Sequence, residues 1–402
     1  MTITTTISLL SELQQELQRR KDSPLDKHVF VGFDGFVDSI KKAVKQKQNT
    51  KTIYFKTLAE FSHRIDEATG KSGQVEMVTQ KIKLGGNAPI FSNTLGRLGV
   101  SSFCVGSLGY PVKHQAFSDM HHRCQAISVL NPGHSDAIEF EDGKIIFSEL
   151  SVFDSYDWAY IKKTIGLDKI RKIIDGCQLL AFVDWVNLPH ASDIWEGILQ
   201  DVIKPSVKRD FLFLFDLCDP SKKTTEQIDE VLDLMSCFSP FGKVTLGLNE
   251  NETLKIWAAI NGVDLDLMDA KTKIPPVRVA GDYVHKAMNI DYLLVHPIDR
   301  TILYHQHDTY ELQGRLVMKP KVLTGGGDNL NAGYCLGLLY DLSLPQCLVL
   351  GMAASGAYIQ NGFSPSIPDI LNYLRQWIAE LDIKGEETEP VITPGLSLSG
   401  KQ

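Results

Sequence analysis

The sequence predicts an α/β fold: a three-layer α/β/α domain around a mostly parallel central sheet, with a small β-rich lid. Three observations predict it. Continuous apolar runs such as Gln178–Asp184 (QLLAFVD) and Asp210–Asp216 (DFLFLFD) have the length of strands buried on both faces. Amphipathic helical patterns separate these runs, which is the rhythm of parallel β-α-β units. One polar stretch, residues 41–83, breaks that rhythm with short alternating segments.

In chain order, residues 1–20 read as a helix with Leu9, Leu10, Leu13 and Leu17 on one face. Lys27–Phe33 reads as the first strand. Within 41–83, Thr52–Lys56 and Gln74–Lys83 alternate as strands around a helical segment, Leu58–Glu67. A hairpin over Ala137–Leu150, turning at Glu141-Asp142-Gly143-Lys144, is expected to join them in the lid. Asn87–Leu98 reads as a helix and Ser101–Val105 as a strand. The helices Leu167–Cys177, Ser192–Lys204 and Thr225–Ser236 alternate with the runs 178–184 and 210–216 and with Lys243–Leu248. Tyr292–His296 is a further strand, and Asn329–Tyr340 and Pro345–Gln360 are two closing helices. The tail from Gly385, rich in Glu, Pro, Ser and Gly, is expected to fray. The 402 residues allow two or three domains at about 150 each. The expected organisation is a single domain over 1–402, with 41–83 and the 137–150 hairpin as its lid.

Composition narrows the function classes. Lys+Arg total 41 and Asp+Glu total 49, a net charge of −8. An acidic chain lacks the basic surface of a nonspecific nucleic-acid binder, so no nucleic-acid partner is expected. No run reaches the roughly 20 apolar residues of a membrane span, and the N-terminal segment lacks the apolar core of a signal peptide. The seven cysteines contain no CxxC pair, which reads as a reduced, mostly buried set in a cytoplasmic protein.

Four motifs carry chemistry. Thr324-Gly325-Gly326-Gly327-Asp328 places three glycines and an acid before a helix. Such a turn aims backbone N–H groups and the positive end of the helix at one point, an anion cradle. A carboxylate beside the cradle can accept a hydroxyl proton while the cradle stabilises a moving phosphoryl group. Gly85-Gly86-Asn87 opens another helix and admits close approach of a ligand. Asp34 and Asp38 lie just past the first strand, where carboxylates can accept from sugar hydroxyls. Asn249 and Glu252 stand at a strand-to-helix junction. That spacing suits both a capping box and an acid holding a water-coordinated Mg²⁺.

In this order the motifs resemble the ribokinase-like (PfkB) carbohydrate kinases. The resemblance spans about residues 28 to 365. It implies a ribokinase-like fold and phosphoryl transfer from a nucleotide to a hydroxyl of a sugar or nucleoside-type substrate. Asp328 would be the base, and Gly325, Gly326 and Gly327 the anion hole. Asp38, Gly85, Gly86 and Asn87 would bind the acceptor, with Asp34 a weaker candidate. Asn249, Thr324, Gly325 and Gly327 would meet the nucleotide, and Glu252 would act on Mg²⁺ indirectly. The chain has Val322-Leu323 where the family usually has Asp-Thr. Val295-His296-Pro297 replaces a glycine-containing nucleotide turn. The His-containing strand and the long insertion look like the ADP-dependent sugar kinases. The donor is therefore expected to be ATP, with ADP as the alternative. A homodimer through the exposed lid strands is also expected.

Other readings have less support. A kinase-derived sugar sensor without turnover would bind sugar and yield no phosphorylated product. The glycine triplet does not complete GxGxxG, since position 330 is Leu, so a dinucleotide enzyme is disfavoured. His121-His122 and His305/His307 lack a metal partner set, and Phe153, Tyr156, Trp158 and Tyr160 read as packing.

Overall fold

The computed structural model describes residues 3–388 apart from 22, 24, 50, 264–273 and 323. Leu323 and the tail beyond Thr388 therefore lie outside the described residues.

Helix α1 (Ile3–Arg20) opens the chain, and β1 (His28–Phe33) follows. The chain then builds β2 (Phe36–Gln48), β3 (Lys51–Tyr54), α2 (Leu58–Asp66) and β4 (Met77–Gly85). Next come α3 (Asn87–Arg97), β5 (Ser101–Gly106), β6 (Cys124–Ser128), β7 (Gly133–Phe140) and β8 (Gly143–Glu149). Helices α4 (Trp158–Ile165) and α5 (Leu167–Asp175) precede β9 (Leu179–Phe182). Then α6 (Ala191–Ile198), β10 (Phe211–Asp216), α7 (Thr225–Ser236), β11 (Gly242–Leu248) and α8 (Glu250–Ile260) alternate. The chain ends with α9 (Val277–Ala287), β12 (Tyr292–Val295), β13 (Arg300–His305), β14 (Asp308–Gln313), α10 (Gly326–Leu339), α11 (Leu344–Asn361) and α12 (Ile367–Thr388).

Nine strands form the main sheet in the order β14-β13-β12-β11-β10-β9-β1-β5-β6. Pairing is parallel from β12 to β6, and β13 and β14 add an antiparallel edge. Strand residues alternate between two cores. On one face Val29, Val31 and Ala181 pack against α1, α3, α10, α11 and α12. On the other Phe30, Leu180 and Phe182 pack against α4 to α9. Covering both faces is what allows these strands to be apolar throughout.

The second sheet is built around β2. It pairs antiparallel with β3 and β4 and parallel with β7, which carries β8 on its other side. A small core of Ala43, Phe55, Phe61 and Ile138 fixes α2 to this sheet.

Several elements differ from expectation. Asp38 sits inside β2, because the strand starts at Phe36 rather than after residue 40. Helix α12 follows the two expected closing helices and continues through 385–388, where fraying was expected. Helix α10 starts at Gly326, three residues early, because the glycines themselves form its first turn. The reading 192–204 splits into α6 and a π-helical turn, Leu199–Ile203. Phe153, Tyr156 and Trp158 are core residues, and five of the seven cysteines are buried. Among the described residues, no helix is long and apolar enough to cross a membrane.

Candidate active site

Because the strands from β12 to β1 run parallel, their carboxyl ends share one edge of the sheet. Polar residues end them: His296 after β12, Asn249 after β11, Asp216 in β10, Asp184 after β9 and Asp34 after β1. This edge is where open α/β sheets bind ligands.

The start of α10 faces this edge. Gly325 is its N-cap with φ +85°, a left-handed conformation that glycine adopts without strain. A Cβ there would come within 2.9 Å of the Tyr358 hydroxyl, which donates to the Thr324 carbonyl at 2.8 Å. The first N–H groups of α10 have no helical acceptor, so this turn can cradle an anion. Asn329 secures it from behind. Its Nδ2 donates to the Gly325 carbonyl at 2.7 Å, and its Oδ1 accepts from Thr94 at 2.9 Å.

Asp328 stands in the first turn and is 8% exposed. Burial pushes its carboxyl well above the usual range, and the charges of Asp216, Asp34, Asp184 and Glu252 push it further. One helical turn on, Asn331 Nδ2 donates to Asp216 Oδ2 at 2.7 Å, tying α10 to the end of β10.

A second group of the expected site residues gathers where β1 hands over to the small sheet. Asp38, in β2, is raised by burial, while Lys83 and Lys144 pull it the other way. Gly85, opposite Phe36 in the register, leaves room for the Asp38 carboxylate, which a Cβ would overlap. Gly86 has φ +91°, and a Cβ on it would lie 2.5 Å from Asp34 Oδ2. Asp34 itself is fully buried. Its two oxygens accept from the Asn87 and Ala88 N–H groups at 2.6 and 2.8 Å, so it caps α3. Asp34 thus ties the end of β1 to the start of α3.

Asn249 and Glu252 form the capping box in full. Asn249 Oδ1 accepts from the Glu252 N–H, and Glu252 Oε2 accepts from the Asn249 N–H, each at 2.9 Å. Burial, with Asp216 nearby, pushes the Glu252 carboxyl up to about 8, and burial pushes Asp216 up to about 6. Two carboxyls so disfavoured as anions suit a divalent cation that reaches them through water and shares phosphate oxygens. A direct cage is absent: among the described residues no three His, Cys, Asp or Glu side chains are placed to hold a metal ion. Beyond β12, burial keeps the His296 ring neutral, its pKa lowered to about 4. Its Cε1 lies 3.4 Å from where a Gly327 Cβ would be.

The structure therefore brings Asp328, Asp34, Asp184, Asp216 and Glu252 into one electrostatic neighbourhood, with Asp38 and Gly85–Asn87 on its flank. Asp184, Asp216 and Tyr358 were not assigned to the site from sequence. Strand-end position marked the two aspartates; nothing local marked Tyr358, which arrives from α11.

The chain is similar to known sugar kinases. The family model of prokaryotic ketohexokinases matches residues 4–377. A ketohexokinase of Haloferax volcanii is 24% identical over 381 residues, covering 94% of this chain and 98% of that protein. Solved structures with the same fold include ribokinase from Thermotoga maritima (TM-score 0.57, 14% identity, covering 87% of this chain and 98% of that one). Ribokinase from Arabidopsis thaliana, complexed with ribose and ATP, gives a TM-score of 0.55 at 16% identity, covering 87% and 99%. These likenesses establish the ribokinase-like fold, and the family match spans nearly the whole chain: the protein is a carbohydrate kinase belonging to the prokaryotic ketohexokinase family.

Proposed function

We propose that this kinase transfers the terminal phosphoryl group of ATP to a hydroxyl of a ketohexose-type sugar, with Asp328 as the base. The observation that carries this is Asp328 itself: a buried carboxyl directly behind a left-handed glycine turn, at the edge where five strand ends meet. The acceptor lies between Asp328 and the Asp38–Gly86–Asn87 flank. The N–H groups of Gly325, Gly326 and Gly327 hold the transferred group. Asn249, Asp216 and Glu252 would hold hydrated Mg²⁺, which neutralises phosphate charge when bound. Asp328, as its carboxylate, takes the acceptor proton at a carboxylate oxygen. The acceptor oxygen forms the new P–O bond as the bond to the nucleotide breaks. The small sheet covers the acceptor and limits hydrolysis. Two copies pair through that sheet.

The test is a coupled assay of fructose and a sugar and nucleoside panel, each with ATP and with ADP, on wild type and Asp328→Asn. Loss of general-base catalysis lowers turnover by about 10²–10⁴-fold with the fold intact. Near-normal turnover by the variant would sink the assignment, and a preference for ADP would reassign the donor.

A further inference from the structure

A cavity of about 510 Å³ opens beyond β9 and β10. Its volume falls within the range of small-molecule sites, roughly 300–1,000 Å³. Asp154, beyond β8, lines one wall. Asn187, beyond β9, lines another, and Lys222, Lys223 and Gln227, beyond β10, complete it. The transfer chemistry uses none of these residues.

The charge on this wall is unbalanced. Lys222 is exposed and Lys223 is half-buried, its ammonium 4.6 Å from the centre of the Trp185 ring. Neither lysine makes an ion pair among the described residues. Burial disfavours the Lys223 ammonium, and the charge of Asp184 favours it. The lining holds one carboxylate, Asp154, against the two ammonium groups.

The polar groups beside the lysines suit hydroxyls. Asn187 Nδ2 donates to Asp184 Oδ1 at 2.7 Å, which leaves the Asn187 carbonyl oxygen free to accept. Asp184, 1% exposed, keeps its Oδ2 without a partner. Gln227 Oε1 accepts from the Thr224 N–H, and its amide N–H groups remain as donors.

We propose that this cavity binds a small polyol bearing one phosphate or carboxylate, a sugar phosphate or sugar acid. The anionic group meets Lys222 and Lys223, and the hydroxyls meet Asn187 and Gln227. Charge-assisted bonds to two ammonium groups supply most of the affinity, and the amides select the polyol. The site stands independently of the transfer reading, since it uses neither Asp328 nor the glycine turn.

The test is calorimetric titration of the whole chain, without nucleotide, using glucose 6-phosphate, gluconate, inorganic phosphate and the neutral polyol glucitol. The same titrations are run on Lys222→Gln/Lys223→Gln. The first two probes bind at least about tenfold tighter than glucitol and than inorganic phosphate. In the double variant that advantage disappears, while melting temperature and acceptor KM stay at wild-type values. Unchanged affinity in the double variant overturns the proposal, as does glucitol binding equal to gluconate. Inorganic phosphate binding as tightly as glucose 6-phosphate overturns the polyol part and leaves an anion site only. An effect of the double variant on turnover alone would count against the cavity, whereas failure of the Asp328→Asn test would leave these titrations untouched.

Discussion

Glu252 is asked to do two things that oppose each other. As a cap it accepts the Asn249 N–H, which favours its anion. Burial and the neighbouring Asp216 favour its neutral form and win, so it holds its proton to about pH 8. The sign of the stability effect follows. An unfolded glutamate ionises near pH 4.5, the folded one near 8. Between these values the native state binds more protons, so its stability falls as pH rises and levels off above 8. Glu252→Gln keeps the cap, since glutamine serves at this position too, and removes the titration. Melting scans from pH 5 to 9 should show the wild type losing ground to Glu252→Gln as pH rises. Parallel curves would refute the buried-carboxyl argument. Residue types alone could not decide such dual roles. Asn249-x-x-Glu252 fits a cap and a metal-binding acid, and the structure builds the cap. Asp34 and Asp38 likewise looked interchangeable in sequence. Only the fold turns one onto α3 and places the other in β2.

At the scale of elements, the glycine turn proposed as the anion cradle depends on two helices distant in the chain. The glycine turn and α10 supply the N–H groups, and Tyr358 of α11 braces the turn through the Thr324 carbonyl. The Tyr358 hydroxyl is pushed up to about 12, by burial first and then by the charges of Asp328 and Asp38, so it remains a donor throughout the working pH range. Tyr358→Phe removes that bond, a loss of about 1 kcal/mol in stability. Because the bond steadies the cradle rather than the acceptor flank, nucleotide KM should rise several-fold while acceptor KM stays constant. Steady-state kinetics with each substrate varied in turn checks this, and an equal rise in both KM values would place Tyr358 elsewhere. The glycine-rich turn was legible because its composition demands an unusual backbone. Its brace was not, since a tyrosine late in an apolar helix reads as core. The same limit hid α9 and α12, whose patterns carry weaker boundaries than the buried strands.

For the whole molecule, the two apolar cores enclose a sheet whose edges are treated differently. The main sheet buries its strands on both faces. The small sheet has a much smaller core and leaves Ile82 59% and Phe147 51% exposed. The register puts these two on one row: Ile82 opposite Ser39, Ser39 opposite Asp136, and Asp136 opposite Phe147. Residues opposite one another share a face, so the row offers two large apolar side chains about 14 Å apart, three strand spacings. Exposed apolar groups in a shared row are the pattern of a contact surface. The polarity of 41–83 announced a separate, less buried unit in the sequence. The row could not be read there, because it depends on pairing β2 with β4 and with β7 across gaps of tens of residues. If the small sheets of two copies meet on this row, the wild type should sediment as a dimer at micromolar concentration. Ile82→Lys/Phe147→Lys would then sediment as a monomer, with its melting temperature little changed, because both positions are solvated in the single chain. A monomeric wild type, or a double variant that remains dimeric, would remove this face from the interface.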